Sequence, residues 1–172
     1  MDGRPDARSI SVDGRKMLFD ECDAPFVESR NWSLKLNKSG RQHVRDGRGL
    51  LTRQLLSAPD GMHVDHINGN TLDNRRCNLR ICTHSENQWN RKRGHGATRF
   101  KGVALLGDKR AVSKWRATVQ RHGRRYTIGT FKTALEAALA YDAAAARLFG
   151  EFAAPHFSAR FRSPKSPPTP PP

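Results

Sequence analysis

The 172-residue chain is short of acids, cysteines, tyrosines and long apolar runs. Asp and Glu number 16 against 31 Lys and Arg, which leaves a net charge of +15. A chain so basic, with its charges clustered, is suited to a polyanion, and nucleic acid is the commonest one. The three cysteines, Cys22, Cys77 and Cys82, are too few for a disulfide framework. Nor do they make a Cys-rich zinc site, because Cys77 and Cys82 have no second close pair to complete a tetrahedron. All three read as ordinary thiols. No apolar run reaches the roughly 18 residues of a membrane helix, so no membrane partner is expected. The N-terminal M-D-G-R-P-D-A-R-S lacks the apolar core of a secretory signal. The protein is expected to stay in the compartment where it is made. Hydrophobic residues make up only 36%, with a mean hydropathy of -0.74. That favours two small cores over one large one.

Residues 1–12 read as disordered, being charged, with Gly and Pro and no periodicity. From Ile10 to Leu36 short apolar pieces alternate with D-G, A-P and N-K-S-G turns. This predicts a weakly specified β-rich lead-in without chemistry of its own. Leu50–Ser57 has its apolar residues on one helical face. Ala58-Pro59-Asp60-Gly61 then turns the chain, and Met62–Ile67 and Leu79–Thr83 read as strands around an Asn-rich loop. Thr83 and Glu86 have the spacing of a capping box, so a helix carrying Asn87 and Asn90 should follow. The basic R-K-R-G-H-G-A-T stretch reads as a linker. Beyond it come three strands, Phe100–Leu106, Trp115–Gln120 and Tyr126–Thr130, with turns at Gly107-Asp108 and His122-Gly123. The alanine-rich Thr133–Phe149 helix follows, with a second capping box at Thr133 and Glu136 and a stop at Gly150. The Pro-rich tail from Ser158 should be extended or disordered.

The stretch Val64–Arg93 concentrates Asp, His and Asn before a basic run. Cleaving a phosphodiester needs a base for water, a cation for the phosphate, and oxygen ligands for that cation. Imidazole is a suitable base near neutral pH. Carboxylate and amide oxygens suit Mg²⁺ or Mn²⁺. Asp65 and His66 are adjacent on a strand and would face opposite ways, unless the strand ends there. The run D-H-I-N-G-N, D-N-R-x-x-N-L-R, T-H-S-E-N-x-x-N-R resembles the HNH endonucleases of the homing type, over about Leu50 to Arg93. The resemblance implies a ββα-metal fold and a divalent cofactor, Mg²⁺ or Mn²⁺. It implies His66 as general base, Asn78 as the residue that orients it, and Asp65 and Asn87 as metal ligands. Asn90 would support the helix or touch DNA. With no flanking C-x-x-C pairs, no structural zinc is expected. Thr52 stands where relatives often carry a histidine. His63 and His84 are expected to be structural or DNA-facing.

From Arg91 to Arg125 there are twelve Lys or Arg and one acid, Asp108, interleaved with Phe100 and Trp115. A basic strand ribbon can enter the major groove. Arg91, Lys92, Arg93, Lys101, Lys114, Trp115, Arg116, Arg121, Arg124 and Arg125 are the candidate DNA contacts. The segments F-K-G-V, K-W-R-A-x-V and Y-T-I-G-T-F…A-Y-D-x-A-A resemble the DNA-binding domain of plant ethylene-response factors, over about Arg99 to Phe157. That family lays a three-stranded sheet in the major groove with a helix behind it. Its bacterial and phage relatives are often fused to HNH nucleases. Gln120 and Thr127 depart from the plant pattern, so only the mode of binding carries over.

The expected fold is α+β: a ββα-metal nuclease domain over 13–93, a linker at 94–98, and a three-stranded antiparallel sheet on one helix over 99–157. The expected activity is hydrolysis of duplex DNA by a cytoplasmic enzyme of a bacterial or phage-infected cell. No protein partner is evident, and a monomer is expected. The rivals are a non-catalytic DNA-binding regulator with a decayed centre, and an RNA-binding protein.

Overall fold

Asp13 and Gly14 both take positive φ, 46° and 75°. That backbone twist suits a two-residue hairpin turn. It folds β1 (Ala7–Val12) back on β2 (Arg15–Asp20) in an antiparallel pair. The computed structural model that shows this describes residues 7–37, 40–90, 100–107 and 114–157. The expectation of disorder up to residue 12 is therefore corrected from Ala7 onward. β1 carries little apolar signal, and its order comes from backbone pairing with β2, where Met17 and Phe19 are 0% exposed.

The chain forms two units, Met1–Arg91 and Lys92–Pro172. In the first, Pro25 sits in the opening turn of α1 (Ala24–Glu28), where its missing N–H costs nothing. Strands β3 (Ser33–Leu36), β4 (Gln42–Asp46) and β5 (Gly49–Leu50) form an antiparallel sheet. Helix α2 (Leu51–Leu55) follows at once. Buried Val12, Met17, Phe19, Val27, Trp32, Val44, Leu51, Leu55 and Leu79 make one core. Most of it lies upstream of the Asp-His motif. The lead-in is thus the body of this unit.

Arg53 of α2 donates to the carbonyls of Met62, Ala58 (2.9 Å) and Pro59 (3.0 Å). That holds the turn leading into β6 (His63–His66). β6 pairs antiparallel with β7 (Leu79–Cys82), and α3 (His84–Trp89) follows. The Thr83–Glu86 capping box is formed as expected. The local order is strand, loop, strand, helix.

In the second unit β8 (Val103–Leu105), β9 (Trp115–Arg121) and β10 (Arg124–Phe131) form an antiparallel sheet in the order β10-β9-β8. His122 and Gly123, at φ 49° and 75°, make the β9–β10 turn. The Gly107-Asp108 turn falls partly outside the described residues. Helix α4 (Ala134–Phe149) is capped by Thr133 and Glu136. It lays Ala137, Ala138 and Ala145 inward; Ala137 and Ala138 join Ala117 and Val103 in a small core. Ala143 and Ala146 face solvent instead.

Gly102 has φ +72°, and a Cβ there would run into the Thr118 carbonyl oxygen and the Tyr141 ring. Gly102→Ala should destabilise this unit by about 2–4 kcal/mol, from left-handed strain plus overpacking. Thermal unfolding of the full chain checks it; an unshifted transition for this unit would refute the close approach. Among the described residues no helix is long and apolar enough to cross a membrane.

Candidate functional site

Strand β6 ends at His66, and the chain turns through Asn68, Gly69 and Asn70, with Gly69 at φ 77°. The side-chain oxygens of Asn68 and Asn70 accept from the N–H two residues on, at 2.7 and 3.1 Å. Asp73 closes the loop. Its carboxylate accepts from Asn68 Nδ2 at 2.9 Å and from Arg75 Nε and Nη2 at 2.7 and 2.8 Å. The Arg75 guanidinium holds the Asp73 carboxyl below the usual carboxylate range.

The loop is also tied to the lead-in. Leu18 N donates to Leu72 O and Asn74 N to Leu18 O, both at 2.8 Å, so the loop forms a short parallel bridge with β2. Asp20 and Asp23 extend this link. Asp20 Oδ2 accepts from Arg76 N at 2.7 Å, and Asp23 takes the Arg76 guanidinium with both oxygens.

His66 is 7% exposed, and its Nε2 lies 3.0 Å from Asn74 Oδ1. An amide oxygen only accepts, so Nε2 carries the proton and the lone pair sits on Nδ1. Burial pushes the imidazole below its ordinary pKa, against the opposing pull of Asn74, Asp65 and Asp73. The neutral ring, the form able to accept a proton, is therefore favoured. Asn78 does not take the place expected of it. Its Nδ2 donates to Asp73 O at 2.7 Å and its Oδ1 accepts from Asn68 N at 2.9 Å. It shapes the loop, and Asn74 holds the ring.

Asp65 is buried and faces β7 and α3. Its Oδ2 accepts from Arg80 Nε at 3.1 Å and Nη2 at 2.8 Å. Its Oδ1 accepts from Asn90 Nδ2 at 3.0 Å. Asn90 Nδ2 also meets the carbonyls of His66 (2.9 Å) and Ile67 (3.4 Å). Asn90 is thus a clamp on the end of β6 and is buried. Asn90→Ala should cost about 1–3 kcal/mol, the range for leaving buried acceptors unpaired. A urea titration followed by circular dichroism reads this; an unchanged midpoint would show the clamp to be idle.

Asn87 lies one turn before Asn90 on α3 and is partly exposed. Its side chain makes no hydrogen bond to a described residue. Among the described residues no three His, Cys, Asp or Glu cluster as a metal cage. A carboxylate and an amide oxygen are donors of the kind a hard divalent cation takes, alongside waters and phosphate oxygens. His63 and His84 are both exposed, their rings 5.2 Å apart, and bond to neither Asp65 nor His66. Three contributors were not read from the sequence as site groups: Asn74, Arg80, and His43 on β4, whose pKa is lowered by burial and then by His66. Asn74 and Arg80 are letters of the D-N-R-x-x-N-L-R run to which no role was given, and His43 lies outside the run.

On β9, Ala117 and Val119 are buried while Arg116 and Gln120 are exposed. Cross-strand partners share a face. Ala104, Arg116 and Thr130 therefore lie together, as do Thr118 with Thr127 and Gln120 with Arg125. A register shift lies between Thr127 and Gly129. This face carries two arginines and no acid. Arg121 and Arg124 pair beside the hairpin turn, and Lys114 is exposed at the start of β9. Trp115 is half-buried against the helix-side core, away from that face. Lys101 is half-buried at the turn before β8. Arg91, Lys92 and Arg93 lie outside the described residues.

The strand–loop–strand–helix unit thus sets a buried histidine next to a buried carboxylate on one strand. Comparison with known proteins gives the family. The model of the HNH endonuclease family matches residues 57–89, which span β6, β7 and α3. An uncharacterized HNH endonuclease of Acanthamoeba polyphaga mimivirus is 35% identical over 139 residues, covering 77% of this chain and 70% of that protein. Protein 3.8 of Escherichia phage T7 is 35% identical over 68 residues, covering 40% of this chain and 54% of that protein. No solved structure matches the chain. The chain belongs to the HNH endonuclease family.

Proposed function

We propose that the protein is a DNA endonuclease of the homing type, a ββα-metal enzyme that hydrolyses a phosphodiester of duplex DNA with Mg²⁺ or Mn²⁺. The observation that carries this is the buried, neutral His66, its Nε2 held by Asn74, in the strand that also presents Asp65. Nδ1 of His66 takes the proton from the attacking water. Asn74 keeps Nε2 protonated, so the lone pair stays where the water arrives. Asp65 and Asn87 would hold the cation, and Asn90 fixes the Asp65 carboxylate from the other side. When bound, the cation neutralises charge on the scissile phosphate and the departing 3′ oxygen. The products would be a 5′ phosphate and a 3′ hydroxyl.

The second unit is proposed to bind the duplex in the manner of ethylene-response factors, as a cytoplasmic monomer. Arg116 and Arg125 are the main phosphate or guanine contacts on the open face. Arg116→Ala with Arg125→Ala should flatten the salt dependence of binding, each lost phosphate contact removing about 0.9 from the slope of log K against log salt. Fluorescence anisotropy over a salt series reads it, and an unchanged slope would remove this face from the interface.

A second reading, a DNA-binding regulator with a silent centre, is favoured by the engagement of both Asp65 oxygens by Arg80 and Asn90. One assay separates the two. Supercoiled plasmid is incubated with the protein and Mg²⁺ or Mn²⁺, with and without EDTA. Nicked or linear DNA that disappears with EDTA supports the nuclease. Binding without cleavage under either ion supports the regulator. Salt-dependent preference for RNA over duplex DNA would count against both.

A further inference from the structure

We propose that Arg80 is a counter-ion gate on the metal site: it holds Asp65 neutralised and leaves it only as a divalent cation and a DNA phosphate arrive together. This rests on the nuclease reading above. Asp65 and Arg80 are direct cross-strand partners on β6 and β7. Their side chains are 8% and 10% exposed, so the pair is shielded from water and salt. Two guanidinium nitrogens converge on one oxygen, Oδ2. The other oxygen is held by Asn90, which is itself fixed by two backbone carbonyls. Asn90 is neutral and leaves the carboxylate charge in place. Arg80 cancels it.

The chemistry then constrains the order of events. A cation approaching Asp65 meets a carboxylate already paired, and a positive guanidinium next to the seat it must occupy. Either the cation binds weakly, or Arg80 moves. Guanidinium matches phosphate as well as it matches carboxylate, through the same two-nitrogen fork. A phosphate brought to the site gives Arg80 a second partner and frees Asp65 for the cation. By linkage, DNA then tightens metal binding, and metal tightens DNA binding by the same factor. The free protein would hold little metal, and the loaded centre would form on its substrate.

The test is Mn²⁺ binding to the full chain, by isothermal titration or by the loss of the free-ion electron paramagnetic resonance signal. Without DNA, Arg80→Gln should bind Mn²⁺ more tightly than wild type, on the order of tenfold, a middling coupling between sites. Asp65→Asn should lose that binding. A non-cleavable phosphorothioate duplex should tighten Mn²⁺ binding in wild type more than in Arg80→Gln. Equal or weaker Mn²⁺ affinity in Arg80→Gln, with Asp65-dependent binding intact, overturns the gate and leaves the nuclease reading standing. No Asp65-dependent binding in any variant overturns both. Circular dichroism confirms that each variant is folded. If Arg80→Gln is not, Arg80→Met, which removes the charge and keeps an apolar stem, is read instead: tighter than wild type supports the gate, unchanged overturns it.

Discussion

Replacing His66 with alanine is expected to slow plasmid cleavage by about a hundred- to ten-thousand-fold, the usual span for losing a general base. Duplex binding should be little changed, because the open arginine face lies in the other unit. The reasoning is local. His66 is buried, its Nε2 is committed to Asn74, and its pKa is lowered by burial. The ring is thus neutral and aimed; His43, whose pKa burial also lowers, is only partly buried and lies on β4. His63 and His84 are exposed, with their rings in a tilted contact 5.2 Å apart. Initial nicking rates at saturating Mg²⁺, beside an anisotropy measurement of affinity, separate chemistry from binding. Cleavage retained at the wild-type rate in His66→Ala would remove His66 as the base.

The second large effect is expected far from any motif residue. Phe19→Ala should destabilise the first unit by about 3–5 kcal/mol, as full truncation of a buried aromatic does. Small domains have only about 5–15 kcal/mol in total, so much of the chain would sit near its unfolding midpoint. Phe19 is 0% exposed and lies in one core with Met17, Val27, Leu51 and Leu79. Its neighbour Leu18 pairs with the loop that carries Asn74. Cleavage should fall with the folded fraction, although every Asp, His and Asn of the centre is untouched. A urea titration with parallel activity measurements checks this. An unshifted midpoint with full activity would mean that the lead-in is a peripheral flap.

How far the centre could be read in advance follows from what local sequence encodes. The β6–β7–α3 order was legible, because turn residues, branched residues and a Thr–Glu cap are short-range signals. So was the second unit, whose turns, strands and alanine helix each announce themselves locally. The lead-in was underestimated for the opposite reason. β1 is mostly polar, and its strand character comes from its partner rather than from its own side chains. The exchange of Asn78 for Asn74 at the imidazole has the same origin. Several Asn residues crowd the loop, and which amide reaches the ring is decided by backbone pairing with Leu18, more than fifty positions earlier. The Asp65–Arg80 pair needed the strand register, in which a shift of one residue would separate the two.

The bridge between Leu18 and the Asp73–Asn74 loop bears on what can be transplanted. Residues 57–89 are the span that the family model matches. They do not carry the strand against which Asn74 is set. Moved into another scaffold, that stretch would bring the histidine and leave its alignment behind. By the same logic, sequence drift in a hairpin that holds no catalytic residue can retune the cutting rate while the motif stays letter-perfect.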